Sequence, residues 1–271
     1  MQRTLPSRLR TPLAIAMVGL MLAACSTSPL GRNQLALFSN DELEQMGQQS
    51  FTQYQEELPE VGGATHDYVQ CVANAITAEV PADAQVEDWE VKVFKDDSAN
   101  AFALPGGYIG VNSGLLDIAE GQDQLAAVIG HEVAHVLAHH ANERVSTQAA
   151  TQTGLSILQS AAGLEGATGE QLMGLLGAGA QYGVILPFSR KHESEADKLG
   201  LDLMAEAGFN PSASIDLWQN MASQSQGAPP EWLSTHPSNQ SRIQGLQDRL
   251  DEATPLYEQA RANGKRPNCQ R

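Results

Sequence analysis

The chain has 271 residues, 42% of them hydrophobic, with 32 Asp and Glu against 16 Lys and Arg and a formal net charge of -16. That is enough chain for one large domain or two small ones. So acidic a surface repels phosphate backbones and anionic lipid alike, which argues against a nucleic-acid partner and against a protein held to membranes by charge.

At the start, Arg3, Arg8 and Arg10 accompany an apolar run from Leu13 to Leu22, followed by Leu22-Ala23-Ala24-Cys25. A basic start, a short apolar core and a small-residue site predict an export signal over residues 1–24, too short to span a bilayer. The tetrad resembles the bacterial lipobox, which implies a lipidated Cys25 and membrane attachment through it. Ser26 after it implies sorting to the periplasmic face of the outer membrane; a signal peptide that releases a soluble protein is the alternative. Residues 25–38 then read as a polar lipidated tether. Cys71 and Cys269 remain, and in an oxidising periplasm they are expected to pair, tying the tail 263–271 to an early helix. No two cysteines have metal-site spacing.

The main domain is expected over residues 39–262. Ser39 with Glu42 forms a capping box, so Asp41 to Leu58 reads as a helix, and a second runs from Thr65 to Glu79, ahead of Pro81. Trp89, Val91 and Val93 alternate with charged neighbours, predicting a strand over residues 88–95 with one dry face. Asn100-Ala101-Phe102-Ala103-Leu104-Pro105-Gly106-Gly107-Tyr108-Ile109-Gly110-Val111 reads as two short strands joined by a tight turn. Its Pro suits an edge position, where an extended peptide can be held by backbone pairing.

Val128-Ile129-Gly130-His131-Glu132-Val133-Ala134-His135-Val136-Leu137 is an apolar helical segment with two histidines four apart. That spacing puts both imidazoles on one face, within reach of one metal ion, while Glu132 sits one position round, able to act on water as general base. Core histidines without metal are the alternative, although Glu132 would then be buried at a cost. The helix is predicted to run from Gln124 to about Gln148, with Glu143 and Arg144 in water. His139 lies about 12 Å along the axis from His131, too far to share an ion, so another ligand must come from elsewhere.

Residues 149–186, rich in Ala, Gly and Leu, read as a buried or lid-like helical hairpin; a membrane-touching or partner-binding element is the alternative. After Pro187, Glu193 and Asp197 are four apart on one helical face, which fits a Glu ligand with an Asp fixing the tautomer of a ligating His. Glu195 points nearly opposite and is expected in solvent; a plain acidic helix face is the other reading of the run. Pro211 to Met221 reads as a helix, residues 223–230 as a loop, and Ser238 to Ala262 as a helix despite Pro255.

Asn100-Ala101-Phe102-Ala103 with Pro105-Gly106-Gly107, His131-Glu132-Val133-Ala134-His135, Glu193-Ser194-Glu195-Ala196-Asp197, and His236-Pro237 with Arg242 occur in an order that resembles the periplasmic peptidases of the HtpX and CAAX-prenyl-protease superfamily. The similarity spans roughly residues 31–257, with the nearest kin expected among outer-membrane lipoprotein peptidases. The resemblance implies an α+β, mostly helical zincin-like (gluzincin) domain with a small antiparallel sheet and a zinc helix. It implies one Zn2+ per chain on His131, His135 and Glu193, Glu132 as general base and acid, and Asn100 to Ala103 as the substrate strand. His236 is implied either as a catalytic donor or as a fourth ligand that plugs the resting site, and Arg242 as a group orienting the oxyanion region or a carboxylate. Extended or unfolded polypeptides, outer-membrane proteins among them, are the implied substrates. The chain lacks the helical repeats and spanning segments of longer relatives, so docking through repeats and cleavage within a bilayer are not expected. A gated or inactive assembly factor is the main rival; a peptidoglycan hydrolase is disfavoured because nothing resembles a wall-binding module.

Overall fold

The computed structural model describes residues 25–162, 186–224, 236 and 240–271. The expected export signal, the 163–185 part of the glycine-rich stretch and the 225–230 part of the expected loop lie outside the described residues. Two short strands, β1 (Cys25–Thr27) and β2 (Asn33–Leu35), pair antiparallel. Helices α1 (Asn40–Glu57) and α2 (Ala64–Thr77) follow, then strands β3 (Glu90–Phe94), β4 (Ala101–Leu104) and β5 (Tyr108–Asn112). A 3-10 turn over Ser113–Asp117 leads into α3 (Gln122–Leu137) and α4 (His140–Ala162), and then come α5 (Leu186–Glu206), α6 (Ala213–Gln224) and α7 (Gln240–Ala262). This is a mostly helical fold with a small sheet. Among the described residues no helix is long and apolar enough to cross a membrane.

Helix α1 begins where the sequence predicts: Ser39 accepts from the Glu42 amide while Glu42 reaches back to the Ser39 amide. The second sheet has the order β3-β5-β4, with β4 antiparallel to β5 and β3 parallel to it, so the sheet is mixed and β4 is an edge. Val91, Val93, Ile109 and Val111 are buried in the core shared with Val69, Val72 and Ile76 of α2 and with Leu125, Val128 and Ile129 of α3. The other face is covered too. Phe102 stacks on Tyr54 at 4.3 Å between centroids, and Phe51 and Phe94 meet it edge-on and face-on. Gly110 underlies the Phe102 ring, which a Cβ there would strike. The edge strand is thus clamped from behind by aromatic rings.

The amino-terminal segment departs from expectation. Residues 25–38 form a folded hairpin rather than a tether. Ser28 and Gln34 are buried, the Gln34 amide donates to the Ala138 carbonyl, and Arg32 reaches Glu143 and Glu195. The cysteines likewise correct the expected membrane attachment: Cys71 and Cys269 form an intramolecular disulfide with a Cα–Cα distance of 5.7 Å, whereas Cys25 opens β1 opposite Leu35. The lipid anchor gives way to this arrangement. The disulfide pins the tail as expected, and closing so long a loop restricts the unfolded chain by about 5 kcal/mol in the chain-entropy account.

The single helix expected from Gln124 to Gln148 is two. His139 adopts a left-handed conformation (φ 52), the Ala138 and His139 amides close onto Ala134 and Val136, and the chain restarts as α4 in a new direction. Helices α3 and α5 approach each other at backbone contact where Gly130 faces Gly200. A Cβ on Gly200 would meet the backbone of Gly130 and His131 at 2.7–2.8 Å, and one on Gly130 would meet the Gly200 carbonyl. Only glycine permits this contact, and backbone cannot move aside as a flexible side chain can. Gly200→Ala is therefore expected to destabilise the fold by about 1–3 kcal/mol. The same change should lower metal retention, both read from melting curves and metal content of the purified variant.

Candidate metal centre

His131 and His135 project from one face of α3, and Glu193 projects from α5 towards them. His131 Nε2 lies 3.1 Å from His135 Nε2 and 3.3 Å from Glu193 Oε2, and His135 Nε2 lies 3.6 Å from Glu193 Oε1. His236 completes the ring, its Nδ1 being 3.3 Å from His131 Nε2 and 3.0 Å from Glu193 Oε2. One ligand atom from each of the four lies within 4.8 Å of all the others.

This donor set fits a divalent ion. Tetrahedral zinc with bonds of about 2.0–2.1 Å sets neighbouring ligand atoms about 3.3 Å apart, and the measured gaps bracket that value. A single nitrogen cannot share one proton among the three acceptors around His131 Nε2, whereas one cation satisfies them all. Charge agrees: the buried carboxylates of Glu132, Glu193 and Asp197 face the guanidinium of Arg242, and a divalent cation neutralises the excess.

The surroundings fix the ligands. His131 Nδ1 lies 3.1 Å from Asp197 Oδ1, and Asp197 accepts both Nε and Nη2 of Arg242 at 2.7 Å. Arg242 Nη1 also lies 3.1 Å from Glu193 Oε2 and donates to the His236 carbonyl at 3.2 Å. Arg242 thus contacts two carboxylates of the centre, and it stacks over Trp218 at 4.5 Å. Burial opposes ionisation of Asp197, but the Arg242 hydrogen bonds outweigh it and hold the carboxyl below its ordinary range. Burial would lower the His131 pKa, yet Asp197 and Glu193 carry it up to about 9. His135 goes the other way, driven well down by burial and by the charge of His131.

Glu132 is buried beside the ring, its Oε1 3.5 Å from His236 Nε2. Asn100, Ala101, Phe102 and Ala103 line the same cleft as Glu132, His135, Glu193 and His236. The edge strand and the ligand ring therefore share one solvent-connected space. Pro237 lies outside the described residues.

Two acids expected in water are inside. Glu143 is 1% exposed and Glu195 6%, and they flank a second polar cluster that the sequence reading missed. In it His140 contacts His135 and Glu195, His192 contacts Glu143, and Arg32 bridges both acids. Burial pushes the His140 imidazole down to about 4 although Glu195 opposes it. The available signal was the acids themselves: two carboxylates on helix faces opposite a metal motif need a cation, and Arg32 is the nearby candidate in a segment otherwise read as loose.

The sequence model of Peptidase family M48 matches residues 64–250. Mitochondrial metalloendopeptidase OMA1 of Schizosaccharomyces pombe is 39% identical over 167 residues, covering 61% of this chain and 48% of that protein. The OMA1 metalloendopeptidase of Danio rerio is 33% identical over 253 residues, covering 87% and 52%. The beta-barrel assembly-enhancing protease of Yersinia pestis is 31% identical over 194 residues, covering 69% and 39%. The chain spans about half the length of the first curated relatives it matches. Nearest kinship with LoiP and the peptidase domain of BepA, expected from the motifs, is thereby corrected: identity is 39% and 36% to the OMA1 proteins of two yeasts, against 31% and 34% to the two bacterial beta-barrel assembly-enhancing proteases. Because Asp197 holds His131, Asp197→Asn should weaken zinc binding by about 10–100-fold with the fold retained, as measured by chelator competition.

Proposed function

The chain belongs to peptidase family M48, and from that premise we propose that it is a zinc-dependent endopeptidase, with one ion per chain, that cleaves unfolded or misassembled proteins of the cell envelope. The carrying observation is the ring of His131, His135, Glu193 and His236 with the Glu132 carboxylate beside it. His131, His135 and Glu193, with His236 in the resting ring, would hold a zinc ion, which would supply Lewis acidity towards the scissile carbonyl and water. Glu132 takes the proton of the attacking water and delivers it to the leaving nitrogen. Asp197 keeps the His131 proton on Nδ1, and Arg242 keeps Asp197 and Glu193 facing inward.

Substrate enters as an added strand. Among the described residues β4 pairs with β5 on one side and with no strand on the other, and it lines the cleft, so an extended peptide pairing there would lay its carbonyls past Glu132. A folded protein has no free strand to give, so selection favours unfolded chains. The Yersinia pestis relative, by its name a beta-barrel assembly-enhancing protease, supports an envelope setting and stalled outer-membrane β-barrel proteins as substrates, since these expose unpaired strands.

A resting, gated form is favoured by one contact: His236 Nδ1 stands in the ligand ring, at the position attacking water needs. In this reading the His236 imidazole leaves the ring when substrate enters; service as a donor to the developing oxyanion is its alternative role. A non-proteolytic assembly factor with a permanently plugged site is the competing reading.

Glu132→Gln should reduce cleavage of unfolded casein by at least about 100-fold while zinc content stays at the parent level; undiminished cleavage rules out the proposed base. His236→Ala should raise casein cleavage by unblocking the site. A fall would make His236 a transition-state donor only, and absence of cleavage in both parent and variant would favour the assembly factor.

A further inference from the structure

The two imidazoles of α3 each have the nitrogen remote from the ring held by a support that ends on an arginine. For His131 the support is Asp197 and then Arg242. For His135 it is longer by one imidazole: His135 Nδ1 lies 2.9 Å from His140 Nδ1, His140 Nε2 lies 3.2 Å from Glu195 Oε2, and that oxygen accepts from Arg32 Nε at 2.8 Å. Arg32 does not belong to the helical core that carries the other members. It sits between the strands of the β1–β2 hairpin. We propose that Arg32 is a positioning residue for the metal centre, and that the amino-terminal hairpin, through Glu195 and His140, holds His135 in its metal-binding orientation and tautomer. The inference rests on the metallopeptidase reading.

Proton placement along the chain has one solution. His135 turns Nε2 towards His131 and Glu193, so its proton is on Nδ1. Two Nδ1 atoms in contact need one donor, so His140 Nδ1 accepts and His140 carries its proton on Nε2, aimed at Glu195. Arg32 also donates from Nη1 to Glu143 at 2.7 Å, and Glu143 accepts from His192, whose ring stacks on His140 at 4.3 Å between centroids. One guanidinium thus ties together two carboxylates that bracket the His140–His192 stack.

The hairpin and the helix break are shaped for this contact. Gly31 takes a left-handed conformation (φ 81), the Ser28 amide donates to the Arg32 carbonyl, and the Arg32 amide donates to Ser28 Oγ, which fixes the direction of the arginine. Left-handed His139 turns the chain so that His140 folds back onto His135, and Gln34 closes the break by donating to the Ala138 carbonyl.

The test is zinc affinity of the full chain by chelator competition for the parent, Arg32→Gln, His140→Phe and the double variant. Arg249→Gln, which breaks an ion pair with Asp202 away from the centre, is the control. Each single variant should bind zinc about 10–100-fold more weakly, the double no more weakly than the worse single because both cut the same chain, and the control like the parent. Affinity within about twofold of the parent in both single variants, or losses that multiply in the double, overturns the proposal. If the variants do not fold, heteronuclear NMR of the histidine side chains in the zinc-loaded parent decides it: the proton on Nε2 of His140 is expected, and the opposite tautomer overturns it. A parent that holds no zinc overturns the metallopeptidase reading and this inference together. A parent that holds zinc with an indifferent Arg32 overturns this inference alone.

Discussion

Everything in this molecule depends on two helix backbones touching. Where Gly130 faces Gly200, α3 and α5 approach closely enough for carboxylates on one to meet imidazoles on the other. The approach also strips Glu193 and Asp197 of water, and an acid buried without compensation costs several kcal/mol. Arg242 meets part of that cost and a divalent ion held by the ring would meet the rest, so the packing that builds the centre also creates its demand for a cation.

Around that contact the structure adds rigidity from outside. The edge strand cannot tilt because the Phe102 ring is wedged among Phe51, Tyr54 and Phe94 over Gly110. The tail cannot leave because of the disulfide, and Gln122 grips it from both sides of its amide, donating to the Pro267 carbonyl and accepting from the Cys269 amide. Such a frame is what a hydrolytic site requires, since displacement by a fraction of an ångström separates a general base from its proton.

Much of this was legible in the residues. The capping box at Ser39 and the spacing of His131 and His135 are local signals governed by helical period, and the structure carries them through. Glu193 and Asp197 were legible for the same reason. What escaped was non-local. One left-handed residue, His139, ends a helix within an unbroken apolar and polar pattern, and periodicity has no term for a break closed by Gln34 of β2 on the Ala138 carbonyl. Glu195 was assigned to water because it points away from Glu193, which overlooks that the far side of a helix can also be covered. The parallel pairing of β3 with β5 depends on a connection through β4 that pattern alone does not orient. Kinship was misjudged because shared catalytic motifs record chemistry rather than descent.

The disposition of the ligands along the chain has an outcome for how the protein comes into being. The histidine pair, the acid that joins it and the ring-closing imidazole sit at residues 131–135, 193 and 236, and the hairpin clasp spans from 32 to 195. A polypeptide threaded through a membrane or leaving a ribosome carries these pieces on separate stretches, each chemically inert. Hydrolytic power therefore arrives only once folding has joined the pieces, and a copy that is still unfolded has none to turn on its neighbours.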